Sequence, residues 1–142
     1  MYAIIKIKME IIMKKSHKYI IETILLLTSL FLCLFKNYLW LPFSNWPGNI
    51  SIKKYNFIAT IPIGYGLFFP MLVVIMTSIL LLLQVLQIFK KVKANRKTKL
   101  VLVVMDIVFI WLPVIIGMQI FNIGLVYIFL LLVGYLIINF IK

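Results

Sequence analysis

The run LVLVVMDIVFIWLP sets Asp106 among apolar side chains, the one charged residue in the 42 positions from Leu100 to Ile141. A carboxylate in such a run can hold a cation, carry a proton or accept hydrogen bonds from a neighbouring helix. Charges in apolar spans are costly and face a bundle interior or a wet cavity. Asp106 is therefore expected to face inward. Asp106 lies seven residues past Lys99, ~10 Å along a helix at 1.5 Å per residue. Gln84 lies six before Lys90, ~9 Å by the same measure, with Gln87 one turn shallower. Glu22 lies four past Lys18, ~6 Å in. Tyr135 and Asn139 precede Lys142 by seven and three residues.

These positions predict a polar layer near one face of a membrane, with Glu22, Gln84, Gln87 and Asp106 as its candidate binding groups and Tyr135 and Asn139 contributed by the last span. Gln84 can donate two hydrogen bonds to the Asp106 carboxylate, and Lys18 sits one turn from Glu22, close enough to pair with it. Two readings stand side by side. In one, the groups satisfy each other and fix helix register. In the other, they form a small site for a cation, a proton or a basic residue of a partner. Hydrolysis by Glu22 and Asp106 would also need a placed water and a substrate path, so no residue is assigned a catalytic role and the chain is read as non-enzymatic. With one cysteine, Cys33, and one histidine, His17, there is no internal disulfide and no zinc site built from His and Cys. No metal and no cofactor are assigned.

The elements that must position these groups follow from composition. Of 142 residues, 65% are apolar, and the mean hydropathy is +1.16. Soluble domains are nearer half apolar, so the solvent for most of this chain is lipid. The formal charge of +12 would suit nucleic acid, but the basic residues flank apolar runs instead of forming a stripe. Nucleic acid is excluded as a partner on that ground.

A helix crossing ~30 Å of hydrocarbon needs about 20 apolar residues. The expected architecture is an all-α integral membrane protein, one membrane domain over 1–142, with spans at about 19–41, 66–89, 100–121 and 123–141. The 42 residues from Leu100 would make a single helix of ~63 Å. They must therefore fold as two, with the break expected near Asn122 and Gly124. Pro113 removes the bond to the Phe109 carbonyl and is expected to kink its span, as a packing device or a hinge.

Orientation follows from charge. The loop KKVKANRKTK (90–99) carries six basic residues, the tail 1–18 carries five, and Lys142 one; the opposite side keeps Lys36, Lys53 and Lys54. Cytoplasmic loops carry the excess of Lys and Arg. The termini and the 90–99 loop are therefore expected in the cytoplasm of a multi-pass cell-membrane protein. The scarcity of Ala and Arg fits an AT-rich bacterial genome. MKKSHKYIIETILLL, from Met13, resembles a secretory signal, but no small-x-small site follows it, and it is read as an uncleaved first span. Residues 1–12 are either a misassigned start, with Met13 the true one, or an amphiphilic extension on the membrane surface.

The ~30-residue outer loop, 36–65, contains no acid. PFSNWPGN (42–49) is rich in turn residues, while NISIKKYNFIATI (49–61) is β-branched and aromatic, fit for a short strand paired with YLWL (38–41). Its Trp and Tyr residues form either an aromatic belt in the headgroup zone or a recognition face anchored by Trp40 and Trp46. The expected activity is binding a protein or peptide partner in the membrane, as an immunity-type protein or an accessory subunit of a transport or secretion complex. The alternative is a small oligomeric transporter or channel working through the polar layer.

Overall fold

The computed structural model describes residues 2–45, 48–59, 68–89 and 95–140, without the side chains of 2–16, 45 and 140. It is mostly helical: α1 (Tyr2–Phe35), the strands β1 (Leu39–Asn45) and β2 (Asn49–Tyr55), then α2 (Phe68–Ile88), α3 (Arg96–Ile115) and α4 (Ile123–Phe140). Three helical stretches are long and apolar enough to cross a membrane, namely His17–Phe35, Phe68–Ile88 and Arg96–Ile115; the apolar Ile123–Asn139 is shorter. Helices suit such sequences because each satisfies its own backbone donors and acceptors where water cannot.

The helices pack in a closed ring, each of α2 and α4 lying against both α1 and α3. Buried positions repeat at alternating spacings of three and four. They are Glu22, Leu26, Ser29 and Cys33 on α1, with Val73, Thr77, Leu80 and Gln84 on α2. On α3 they are Lys99, Val103, Asp106 and Ile110, and on α4 Leu125, Ile128, Leu132 and Tyr135. This is the seven-residue seam of helices packed nearly parallel or antiparallel. Ile24, Leu27, Leu82, Val101, Val104 and Leu130 point outward and are exposed, so the outer surface of the bundle is apolar.

The helix ends differ from the expected spans. α1 stops at Phe35, short of Leu41, because the chain turns at 36–38 and Leu39 already belongs to β1. At its other end, α1 runs as one continuous helix from Tyr2. The break between the last two helices begins earlier than expected, after Ile115, and ends at Asn122, with α4 starting at Ile123 as expected. Gly117, at φ +76°, adopts the left-handed conformation that ends α3. Its N–H donates to the Val114 carbonyl at 3.1 Å, and the Met118 N–H donates to the Pro113 carbonyl at 2.9 Å. That pair of bonds is a Schellman motif. Pro113 lies inside α3 in its last turn, and its carbonyl accepts the bond that closes this motif. Asn122 keeps a structural role as the N-cap of α4, its Oδ1 accepting from the N–H groups of Gly124 (2.9 Å) and Leu125 (3.3 Å). Asn95 does the same for α3, accepting from Lys97 N at 3.1 Å.

β1 and β2 form an antiparallel hairpin with Leu39 opposite Tyr55, Trp40 opposite Lys54 and Asn45 opposite Asn49. Side chains alternate between its faces. Leu39 and Leu41 are buried against the end of the bundle, whereas Ile50 and Ile52, on the other face with Trp40, are exposed. The root of the hairpin is tied at three places. Phe57 N donates to Cys33 O at 3.1 Å and Ile120 N to Trp40 O at 2.8 Å. Asn122 Nδ2 donates to Tyr38 O at 2.7 Å. A two-stranded hairpin is marginal alone in water; these bonds and the buried leucines hold it to the helices.

Candidate functional site

The seven-residue repeat places polar side chains in two separate layers of the bundle. Glu22, Gln84 and Lys99 meet in the first, together with Tyr135 of α4. Seven residues further along α1 and α3, and seven earlier on the antiparallel α2, come Ser29, Asp106 and Thr77. At 1.5 Å per residue the layers lie ~10 Å apart. An apolar layer of Leu26, Leu80, Val103 and Leu132 separates them.

In the first layer the Gln84 amide bridges two charges. Its Nε2 donates to Glu22 Oε2 at 2.6 Å, and its Oε1 accepts from Lys99 Nζ at 2.5 Å. An amide is the side chain suited to this place, since it both donates and accepts. All three residues are buried. The arrangement is a neutral carboxylate–amide–ammonium chain across α1, α2 and α3. Lys99 Nζ also lies 6.0 Å from the centre of the Tyr19 ring. Gln87, one turn towards the helix end, donates to Tyr19 Oη at 3.4 Å and stands beside the chain rather than in it. Among the described residues, Glu22 Oε1 and Tyr135 Oη are buried with no hydrogen-bond partner.

In the second layer Asp106 is fully buried, with Thr77 Oγ1 donating to its Oδ2 at 3.1 Å. Among the described residues, Asp106 Oδ1 and Ser29 Oγ are buried without a hydrogen-bond partner. Cys33, four residues past Ser29, is buried nearby as a free thiol.

Asp106 faces inward, but the expected bond between Asp106 and Gln84 is not formed. The reason is the position of Lys99. Counting depth from Lys99 puts that residue at the membrane edge, yet α3 begins at Arg96 with Asn95 as its cap, and Lys99 is a buried interior residue. Asp106 therefore sits one layer deeper than the count from Lys99 gives, opposite Thr77. Glu22 and Asp106 occupy different layers and are not brought together. Among the described residues, no group of three or more His, Cys, Asp or Glu side chains could hold a metal ion.

Lys99, Thr77 and Ser29 are the members of these layers that the sequence does not single out, whereas Tyr135 falls in the layer of Glu22 and Gln84 as its place near the end of the last span suggests. The signal that could have found them is the identical seven-residue interval in Glu22/Ser29, Thr77/Gln84 and Lys99/Asp106.

The hairpin carries the second set of candidates. Trp40 is half-buried, its Nε1 donating to Asn37 O at 3.1 Å, with Lys54 Nζ 4.4 Å from its ring centre. Lys53 Nζ stands 4.8 Å from the centre of the Phe43 ring. Ile50 and Ile52 are 73% and 52% exposed. Trp46 and residues 90–94 of the basic loop lie outside the described residues. Comparison with protein-family models, curated proteins and solved structures finds no match to this chain.

Proposed function

We infer that the chain is a four-pass protein of the cell membrane that binds a protein or peptide partner through its hairpin and performs no catalysis. The distribution of basic residues supports an orientation with both termini and the 90–99 loop in the cytoplasm and the hairpin outside. The observation that carries the reading is the two-faced hairpin: Leu39 and Leu41 buried beneath it, Ile50 and Ile52 exposed above. Trp40 and Lys54 lie beside those isoleucines. An aromatic anchor ringed by aliphatic and cationic side chains is the composition of a binding hot spot. The segment 36–65 has three lysines and no acid, so the complementary partner surface is acidic and apolar. An immunity-type protein or an accessory subunit of a transport or secretion complex would use such a face. The alternative, a small oligomeric transporter or channel, is favoured by one observation, the unpartnered carboxylate oxygens of Glu22 and Asp106 inside the bundle.

Photocrosslinking in living cells separates a recognition face from an aromatic belt. A photoreactive residue replacing Ile52 is expected to give a discrete protein adduct, while one replacing the outward-facing Leu130 of α4 gives lipid adducts. Trp40→Ala should reduce the protein adduct at least tenfold, since burying such an anchor contributes about 2 kcal/mol or more. Lipid adducts alone at Ile52, or a protein adduct indifferent to Trp40, would contradict this function.

A further inference from the structure

The two polar layers differ in how charge is balanced. In the first, the Glu22 carboxylate meets the Lys99 ammonium through the Gln84 amide. In the second, Asp106 has Thr77 as its hydrogen-bond donor, and no basic side chain acts on it among the described residues. Lys99 is two turns away on the same helix, ~10 Å, with its ammonium engaged by Gln84. By the seven-residue register, the core positions level with Asp106 are Ser29 on α1, Thr77 on α2 and Ile128 on α4, and Cys33 on α1 lies close enough to feel the Asp106 charge.

The hydroxyls of this layer also depart from those elsewhere in the helices. Thr23, Thr28 and Ser78 each donate to the carbonyl four residues earlier on their own helix, at 2.7 to 2.8 Å. That is the usual resting place of a helical hydroxyl. Thr77 instead turns to Asp106. Ser29 Oγ has no partner and its residue is fully buried. Two unpartnered oxygens, one on a carboxylate and one on a hydroxyl, therefore occupy the same layer of a closed core, where an uncompensated carboxylate is strongly disfavoured.

We propose that this layer is a binding site for one small monovalent cation, held by Asp106 Oδ1 and the hydroxyl oxygens of Ser29 and Thr77. Oxygen donors suit a hard cation. Thr77 can give its proton to Asp106 Oδ2 and still offer a lone pair. One carboxylate balances one positive charge, whereas a divalent ion would leave a net charge in the core. Bound there, the ion links α1, α2 and α3 and fixes their register. Apolar layers on both sides make the site occluded, so exchange should need the helices to part. The site is independent of the partner-binding reading and stands or falls without it.

The probe is sodium, with thermal melting of the purified full chain in detergent as the readout. Sodium chloride is compared with choline chloride at equal ionic strength. The midpoint should rise with sodium by about 5 °C or more when the ion is ~100-fold above its dissociation constant, and choline should give no rise. Asp106→Asn should keep a cooperative melt and lose the sodium response. Ser29→Ala, which removes one hydroxyl and no charge, should shift the sodium concentration needed by about tenfold. This second variant keeps the test decisive if the charge change prevents folding. Identical melting of the parent chain in sodium and choline would overturn the site. So would a sodium response retained in Asp106→Asn, or one unmoved by Ser29→Ala.

Discussion

Lys99→Met should destabilise the bundle by about 3–5 kcal/mol, because breaking a buried charge pair leaves the other charge uncompensated. The methionine fills much of the lysine stem's volume but donates nothing to Gln84 Oε1, and the Glu22 carboxylate loses the stronger of the two cations that act on it, keeping only Lys18. Thermal melting in detergent should show the midpoint fall by about 10 °C for a chain of this size. Glu22→Gln in the same background should restore most of the loss, since a neutral amide can still bond Gln84 and no longer carries charge. The double variant isolates coupling from the simple loss of packing. An ordinary interhelical hydrogen bond in a membrane averages only ~0.6 kcal/mol. The size of the effect therefore distinguishes a charge-balanced chain from incidental contact. A single variant melting within about 2 °C of the parent would show that Lys99 lies at the surface.

Gly124→Ala should be the most damaging small change at the hairpin end. Gly124 follows the Asn122 cap at the start of α4, and a Cβ there would overlap the ring of Tyr38. Overpacking of this kind costs about 1–3 kcal/mol. Here the ring can escape only by moving the chain that leads into β1. That movement strains the bonds from Asn122 Nδ2 to Tyr38 O and from Ile120 N to Trp40 O. The hairpin should loosen from the bundle before the helices part, so proteolysis within 36–59 should accelerate more than global melting changes. Tyr38→Ala should relieve the overlap, making the double variant less sensitive to protease than Gly124→Ala alone. Cleavage unchanged in Gly124→Ala would mean that the ring does not rest on that glycine.

Much of the helical architecture is visible in the sequence because lipid leaves few choices. Long apolar runs bounded by basic residues must be helices, and the β-branched segment after Pro47 and Gly48 pairs with its predecessor as its pattern suggests. Asp106 is legible as an inward-facing residue from the cost of its charge alone. Its partner is not, because partner choice depends on register, and register depends on where each helix begins. Lys99 is one of six cations in a ten-residue run and reads as membrane-flanking charge. Only the cap at Asn95 and the packing of α3 draw it into the core. The end of α3 is hidden for a similar reason. Pro113 reads as a kink within a longer span, and only the positive φ at Gly117 shows that α3 stops just beyond it. The hairpin's two faces depend on which leucines find the end of the bundle, which alternation in β1 suggests but Pro42 within the strand obscures.

The proposed function requires the hairpin to stand outside the membrane and the start of α3 inside. Cysteine accessibility tests this most directly. The native Cys33 is fully buried, so it should give little background with a membrane-impermeant maleimide. Ser44→Cys, on the exposed part of β1, should label in intact cells. Thr98→Cys, in the exposed first turn of α3 beside the basic loop, should label only after the membrane is opened. Labelling of Thr98→Cys in intact cells, with Ser44→Cys protected, would place the hairpin in the cytoplasm and contradict the account.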